Sequence, residues 1–303
     1  MAVNVGQLIT EAEYTTLRGG VILVMGTPTG TGTGAAGYNQ TVTAPAVNPG
    51  DKITAAAWNA LKADVDKAYT HQVGSAPNPA LVTVNADSGI TKTVHDALET
   101  VVNFIKLAGN RFTLGAGQST TVSASSKTAT NWKDIRVHDV VFTWPSANSA
   151  KAFFNAGGKI TFTSSLSYTG SEAKTLDWRT MVSTVGTLTM NHVDFTKSGT
   201  GGSITNSDGF YDLNTTEREI MTRGGVSPYS ENRYKLLARA TTNGIRIRML
   251  YEDNDTGDKT GLGPAVDELV RGTLTSAMSY IRPTGSNVQV DAPAISYGAT
   301  NNM

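Results

Sequence analysis

Residues 233–252 read RYKLLARATTNGIRIRMLYE, and this stretch decides the fold class. Asn243 and Gly244 form a dipeptide that strongly favours a two-residue turn between antiparallel strands. On both sides of that dipeptide, apolar residues alternate with polar ones, which is the period of a half-buried strand. The turn and the alternation agree on one buried face, so we predict a β-hairpin here.

A turn at Asn243 and Gly244 also predicts which residues of the hairpin lie opposite one another. Thr242 then faces Ile245. The buried face has Tyr234 and three opposed pairs: Ala240 with Ile247, Ala238 with Met249, and Leu236 with Tyr251. The outer face has four more pairs: Arg246 with Thr241, Arg248 with Arg239, Leu250 with Leu237, and Glu252 with Lys235.

The outer face of this hairpin combines opposed cations with leucine side chains. Two arginines directly opposite each other destabilise a sheet. We therefore predict that Arg239, Arg246 and Arg248 contact an acidic partner surface, such as residues 252–258 of a neighbouring copy. Screening of the arginines by water and salt is the alternative.

Residues 111–303 carry the strand pattern well beyond the hairpin. Period-two alternation recurs at 140–144, 160–168, 187–195 and 274–281, with shorter strands at 288–290 and 295–297. One helix, at 174–186, interrupts the strands. We predict a chain that is mainly β with short helices, in which residues 111–303 form an antiparallel β-sandwich-like domain.

Residues 51–110 predict a helical oligomerisation segment with two helices. In each helix, apolar residues recur every three to four positions and form a narrow stripe. The stripe of the first helix, over 53–70, consists of Trp58, Leu61, Val65 and Ala68. The stripe of the second helix, which starts near Thr93, consists of Val94, Leu98, Val101 and Ile105. Such stripes resemble coiled-coil seams, and short helices need a partner, either each other or another chain. We predict that they help to form a trimer, with the interface at Trp58, Leu61, Val65, Val101 and Ile105.

Residues 1–50 predict an extended attachment arm. The run VILVM at 21–25 is compatible with one buried strand, and the following GTPTGTGTG at 26–34 has almost no apolar surface to bury. We therefore expect residues 26–37 to be disordered in the free protein, or else to be ordered only by neighbouring chains. A phosphate-binding loop is excluded because the first lysine of the chain is Lys52.

Composition excludes several classes of function. Among 303 residues, 25 basic side chains balance 25 acidic ones, so we expect no attraction to nucleic acid or to an anionic membrane. The chain has no cysteine, which excludes disulfides and thiolate chemistry. The first ten residues lack the pattern of a signal peptide, so we expect synthesis in a cytoplasm-like compartment.

Motifs for catalysis and for metal binding are weak. No two of His71, His95, His138 and His192 have the helical spacing of metal ligands, and we expect no enzymatic activity, cofactor or metal. We interpret His138 and His192 as polar residues at strand edges. The alternative is a metal site that combines either histidine with a nearby aspartate. The run at 252–258 partly resembles a calcium loop, and whether it binds calcium stays open.

Two stretches of the chain resemble a known family. The first has GYNQ at 37–40, ITAAAWNAL at 53–61 and AYTHQ at 68–72; the second has VFTW at 141–144, FFNAGGKI at 153–160 and VGTL at 185–188. Together they resemble virion structural proteins of tailed bacteriophages, especially contractile-tailed phages of cyanobacteria. The resemblance covers residues 37–190 and, more weakly, the chain up to 280.

This resemblance implies assembly into a particle without catalysis, as part of the neck, the baseplate or a tail fibre. The implied partners are other virion proteins and copies of the same chain, and the implied location is the virion, assembled in the host cytoplasm. A tail receptor that binds a host surface glycan is an alternative, for which Trp132 is the candidate stacking residue. A polysaccharide depolymerase is a further alternative.

Overall fold

A computed structural model describes residues 9–86, 88–255 and 268–303. It confirms the predicted fold class: the chain is mainly β, with two antiparallel sheets and six helices among the described residues. The chain divides into two compact units. The helical unit comprises Met1–Thr120, Asn148–Gly158 and Arg282–Ala292, and the sheet unit comprises Thr121–Ala147, Lys159–Ile281 and Pro293–Met303. None of the described helices is long and apolar enough to cross a membrane.

The helical unit is built around three helices. They are α1 (Glu11–Met25), α2 (Ala55–Val73) and α3 (Lys92–Lys106), followed by the short α4 (Ala108–Arg111) and, later in the chain, by α5 (Ala147–Asn155). The prediction of α2 is confirmed, with Thr54 as its N-cap. In α3 the N-cap is Thr91, so the chain enters this helix two residues before the predicted start.

Helix α1 was not predicted, and it corrects the expectation of an extended arm. Thr10 and Glu13 form a capping box, in which each side chain bonds the backbone of the other residue. The run 21–25 is therefore the last part of a helix and not a strand. Residues 35, 36 and 38, within or next to the segment expected to be disordered, are at most 1% exposed.

The sheet unit contains two sheets and one helix, α6 (Ala173–Val185). The strands are β1 (Ser119–Trp132), β2 (Arg136–Thr143), β3 (Lys159–Ser167), β4 (Leu188–Met190), β5 (Phe195–Lys197), β6 (Ser203–Ile204), β7 (Arg218–Gly224), β8 (Arg233–Thr241), β9 (Gly244–Glu252), β10 (Val270–Pro283) and β11 (Ala294–Tyr297). Their order is β1-β10-β3-β4-β5 in one sheet and β11-β2-β9-β8-β7-β6 in the other. Residues 288–290, predicted as a strand, make only an isolated bridge at Gln289.

The hairpin at 233–252 exists, but its register differs from the predicted one by two residues. Ala240 lies opposite Ile245, and the turn consists of Thr242 and Asn243. Gly244 is the first residue of β9, where an added Cβ atom would lie 1.9 Å from the carbonyl oxygen of Phe142 on β2. This glycine therefore serves a close approach of two strands. A shift of two residues preserves the buried face, so that part of the prediction is confirmed.

Two adjacent glycines in α1 provide a test of this helix and of its packing. A Cβ atom at Gly19 would meet nothing within 4 Å, whereas one at Gly20 would lie 2.7 Å from Val102 Cγ1 of α3. Gly19→Ala should therefore stabilise the helical unit by up to about 1 kcal/mol, because alanine favours helix. Gly20→Ala should destabilise the unit, because Val102 must move. Urea unfolding of both variants measures the difference, and equal effects would contradict the packing of α1 on α3.

Candidate functional site

The stretches that carry the family resemblance meet in one buried group of polar side chains. We name Tyr38, His71, Gln72 and Asn155 the Tyr38 cluster; they are at most 4% exposed. Gln72 Nε2 donates to the Tyr38 hydroxyl at 2.8 Å, and that hydroxyl donates to the Arg111 carbonyl at 2.5 Å. The cluster thus joins chain segments that are far apart in sequence.

Asn155 and His71 attach two further segments to this cluster. Asn155 Nδ2 donates to the carbonyl oxygens of Ala36 and Gly37 at 2.9 and 3.1 Å. His71 Nε2 donates to the Ala156 carbonyl at 2.9 Å. His71 lies in the last turn of α2, where it is fully buried.

Glycines allow the backbone to approach this cluster. Gly37 has φ +96°, and a Cβ atom there would lie 2.6 Å from the Thr27 carbonyl oxygen. Gly157 has φ +87°, which favours glycine, and a Cβ atom at Gly158 would lie 2.5 Å from the Phe153 carbonyl oxygen. The glycines of the resembling stretches are therefore required by backbone geometry.

In the sheet unit, a histidine links the two sheets. His138 on β2 lies between Ser125 on β1 and Ser276 on β10, with Nε2 2.7 Å from Ser125 Oγ and Nδ1 2.8 Å from Ser276 Oγ. A serine beside a histidine is the contact that activates a nucleophile. Here His138 is fully buried, and its second nitrogen faces a hydroxyl in place of a carboxylate. The contact therefore joins the sheets.

Burial keeps two histidines neutral. It lowers the pKa of His71 to about 4, even though the hydrogen bond to Ala156 acts in the opposite direction. Burial, with a contribution from Lys127, also lowers the pKa of His138 to about 4. A neutral imidazole can accept one hydrogen bond and donate another, as the position of His138 between two hydroxyls requires.

Two of the three arginines on the outer face of the hairpin have an acidic partner within the same chain, while the interface predicted for Arg239, Arg246 and Arg248 stays a prediction. Arg246 makes a two-pronged ion pair with Asp139 on β2, with Nε 2.8 Å from Oδ1. Arg248 Nη1 lies 2.6 Å from Glu217 Oε2. In the observed register Arg239 lies opposite Arg246, and the pairing of Arg246 with Asp139 reduces the repulsion between them.

Asp139 illustrates how strongly this pairing acts. Burial alone would raise the pKa of its carboxyl group, but hydrogen bonds from Arg246 and Thr300 outweigh burial and hold the pKa below its ordinary value. Asp139 and His138 are neighbours in sequence and point to opposite faces of β2. They therefore do not form the metal site that was the alternative reading of this pair.

A lysine occupies the centre of the acidic segment that resembled a calcium loop. Lys174 in the first turn of α6 has a fully buried side chain, and its Nζ lies 3.0 Å from Asp253 Oδ2 and 3.5 Å from Asp255 Oδ2. It also donates to the Glu268 carbonyl at 2.9 Å. The ammonium group of Lys174 therefore already supplies a cation to the carboxylates of Asp253 and Asp255. The rest of the calcium-like run, residues 256–258, lies outside the described residues.

The residues predicted to form a helical interface between chains are already covered within one chain. Trp58, Leu61, Val65, Val101 and Ile105 are at most 1% exposed in the helical unit. The unpredicted helix α1 packs against both α2 and α3 and supplies the partner that the stripes need. These side chains therefore offer no surface to a second copy.

Trp132 is likewise part of the core. It is 1% exposed, and its ring contacts Trp178 edge to face at a centroid distance of 4.7 Å. A sugar ring has no access to it, which corrects the stacking role considered for this residue.

No protein-family model, no curated protein and no solved structure matches the chain.

Acid should destabilise both units through their buried histidines. The pKa of each is about 4 in the folded chain and 6.5 in a free imidazole, so the unfolded chain binds more protons between these values. The contribution of each neutral histidine to the free energy of unfolding should be fully present above about pH 6.5. The free energy of unfolding should then fall by on the order of 3 kcal/mol per histidine as the pH approaches 4. Urea unfolding at about pH 7 and about pH 5 measures this loss. His138→Gln should remove the contribution of the sheet unit. An unfolding free energy that is the same at both pH values would contradict neutral buried histidines.

Removing the ammonium of Lys174 should destabilise the sheet unit strongly. Lys174→Met leaves Asp253 and Asp255 without this cation, at an expected cost of about 3–5 kcal/mol. Adding Asp253→Asn should restore part of the loss. Lys62→Met is the matched control, since the pair of Lys62 with Asp66 is partly exposed and worth about 1 kcal/mol at most. Equal urea midpoints for the two lysine variants would show that Lys174 has no special role.

Proposed function

We propose that this chain is a non-enzymatic structural component of a bacteriophage particle, a homotrimeric neck, baseplate or tail-fibre protein. The observation that carries the proposal is the Tyr38 cluster. GYNQ, AYTHQ and FFNAGG, which resemble virion structural proteins, contribute Tyr38, His71, Gln72 and Asn155 to one buried group. The residues that carry the resemblance therefore stabilise the fold. This is expected for a family of structural proteins, whose members share a fold and no catalytic site.

The charged side chains of the sheet unit support a role in which rigidity matters. Arg246, Arg248 and Lys174 each bind a carboxylate of the same chain, with two of these carboxylates fully or almost fully buried. Buried ion pairs of this kind fix one arrangement of strands and loops more than they add stability. A particle component that must hold its neighbours in register benefits from such fixed geometry.

Self-association needs an exposed surface, and the helical unit provides a candidate. Ile22 and Leu23 on α1 are 39% and 38% exposed, and Leu107, directly after α3, is 58% exposed. Gly20 of α1 lies against Val102 and Lys106 of α3, so these three apolar side chains lie near the same ends of the two helices. We therefore place the contact between copies here.

Charge at this surface should separate the copies without unfolding the chain. Light scattering of the purified protein should give the mass of a trimer, and Leu23→Asp with Leu107→Asp should give a monomer with an unchanged melting temperature. The matched control is Val82→Asp with Val226→Asp, which alters side chains that are 57% and 58% exposed elsewhere. A double variant that keeps the mass of the parent would place the contact on another surface, and a monomeric parent would contradict the homotrimer.

The virion role itself is tested on particles. Phage particles purified on a density gradient from the host that carries this gene should contain peptides of the chain, at a constant ratio to the major capsid protein. Quantitative mass spectrometry of gradient fractions measures that ratio. Peptides confined to the soluble lysate, with none in the particle fraction, would overturn the proposal.

A further inference from the structure

Three side chains with metal-ligating atoms gather in the first two turns of α3. The ligand atoms of His95, Asp96 and Glu99 all lie within 4.8 Å of one another. Glu99 follows His95 by four residues, which places both on one face of the helix. Helical spacing of two histidines and a histidine beside an aspartate on a strand were the metal-site patterns weighed from the sequence, and neither applies to His95.

The two oxygens of Asp96 have separate partners. Oδ2 forms an ion pair with Lys92, and Oδ1 lies 3.3 Å from His95 Nδ1. Two ligands that are each 2.0–2.1 Å from a tetrahedral zinc ion lie about 3.3 Å apart, so this pair already has the separation of zinc ligands. Lys92 would then orient the carboxylate from outside the metal's ligand shell.

The imidazole of His95 is held in place before any ion binds. It is 2% exposed, and its ring lies beside that of Trp58 with centroids 6.4 Å apart. A fixed ring loses little freedom when it binds a metal, which favours affinity. The ligand that must move is Glu99, whose side chain is partly exposed.

The space beside His95 and Glu99 belongs to a small pocket between α1 and α3, which Asp96 does not line. Its volume is about 80 Å³, and Glu13, His95 and Glu99 are among its lining residues. Glu13 Oε2 caps α1 through Thr10, so its carboxylate adds negative charge next to the pocket while staying in the cap. The negative charges of Glu13, Asp96 and Glu99 together exceed the single positive charge of Lys92. The resulting net negative charge attracts a cation to this place.

We propose that His95, Asp96 and Glu99 bind a divalent first-row transition ion, with zinc as the ion they fit best. One imidazole nitrogen and two carboxylate oxygens are ligands that zinc accepts, and a water molecule from the pocket completes four-coordination. The bound ion would cross-link side chains of the first two turns of α3. This inference is independent of the proposed virion role.

Titration of the untagged, full-length protein tests the site. Calorimetry with zinc chloride should show one ion per chain, and Co²⁺ should give the visible absorption bands of a tetrahedral site. Glu99→Gln keeps the shape of the side chain and should weaken zinc binding at least about tenfold. Asp66→Asn is the control, because it likewise removes one carboxylate charge from a helix but not from the three proposed ligands. The zinc affinity of this variant should equal that of the parent.

Each remaining outcome decides the question. A parent chain that binds no zinc, or a Glu99→Gln variant that binds as tightly as the parent, overturns the proposal. His95→Asn should abolish the cobalt bands if it folds; should it unfold, the comparison of Glu99→Gln with Asp66→Asn still decides. Zinc should also raise the melting temperature of the parent and leave that of Glu99→Gln nearly unchanged.

Discussion

The hydrogen bonds of the Tyr38 cluster are the constraint on which the helical unit depends. Tyr38, His71, Gln72 and Asn155 come from three places in the sequence, and each hydrogen-bonds a group from another place. Because a buried polar group without a partner costs about 1–3 kcal/mol, these segments are stable only together. The Gly- and Thr-rich segment after α1 is consequently fixed at its end, and α5 joins a unit whose other helices precede it by many residues.

The sheet unit depends on a related constraint. Its two sheets are joined by apolar packing and by polar bridges, in which His138 contacts two serines and Ser164 contacts the hydroxyls of Tyr234 and Tyr251. Such bridges specify which residues face each other, because a shifted sheet would leave buried hydroxyls unpaired. Both units thus contain a buried neutral histidine that contributes to specificity, and neither histidine has the exposure that catalysis requires.

Local periodicity sufficed to predict the fold class, α2, α6 and the buried face of the hairpin. It could not predict the hairpin register, because a shift of two residues leaves the alternation unchanged and Gly244 serves the approach to Phe142. The apolar stripes of α2 and α3 were predicted, but periodicity does not identify the partner of a stripe. That partner was α1, whose capping box at Thr10 and Glu13 was the sequence signal that could have revealed it. The Tyr38 cluster and the ion pair of Asp139 with Arg246 join residues 34 to 119 positions apart, and local patterns carry no information about such pairs.

The central claim is that the chain after α1 is anchored in the helical unit and is not a free arm. The amides of Tyr38, Asn39 and Gln40 donate to the carbonyl oxygens of Val24, Gly26 and Met25 at 2.7–2.9 Å. Hydrogen exchange followed by NMR, residue by residue, measures their protection directly. The account predicts that these three amides exchange as slowly as those in the middle of α2, and that Asn155→Ala accelerates all three. Exchange at the rate of an unstructured peptide in the parent protein would contradict the account.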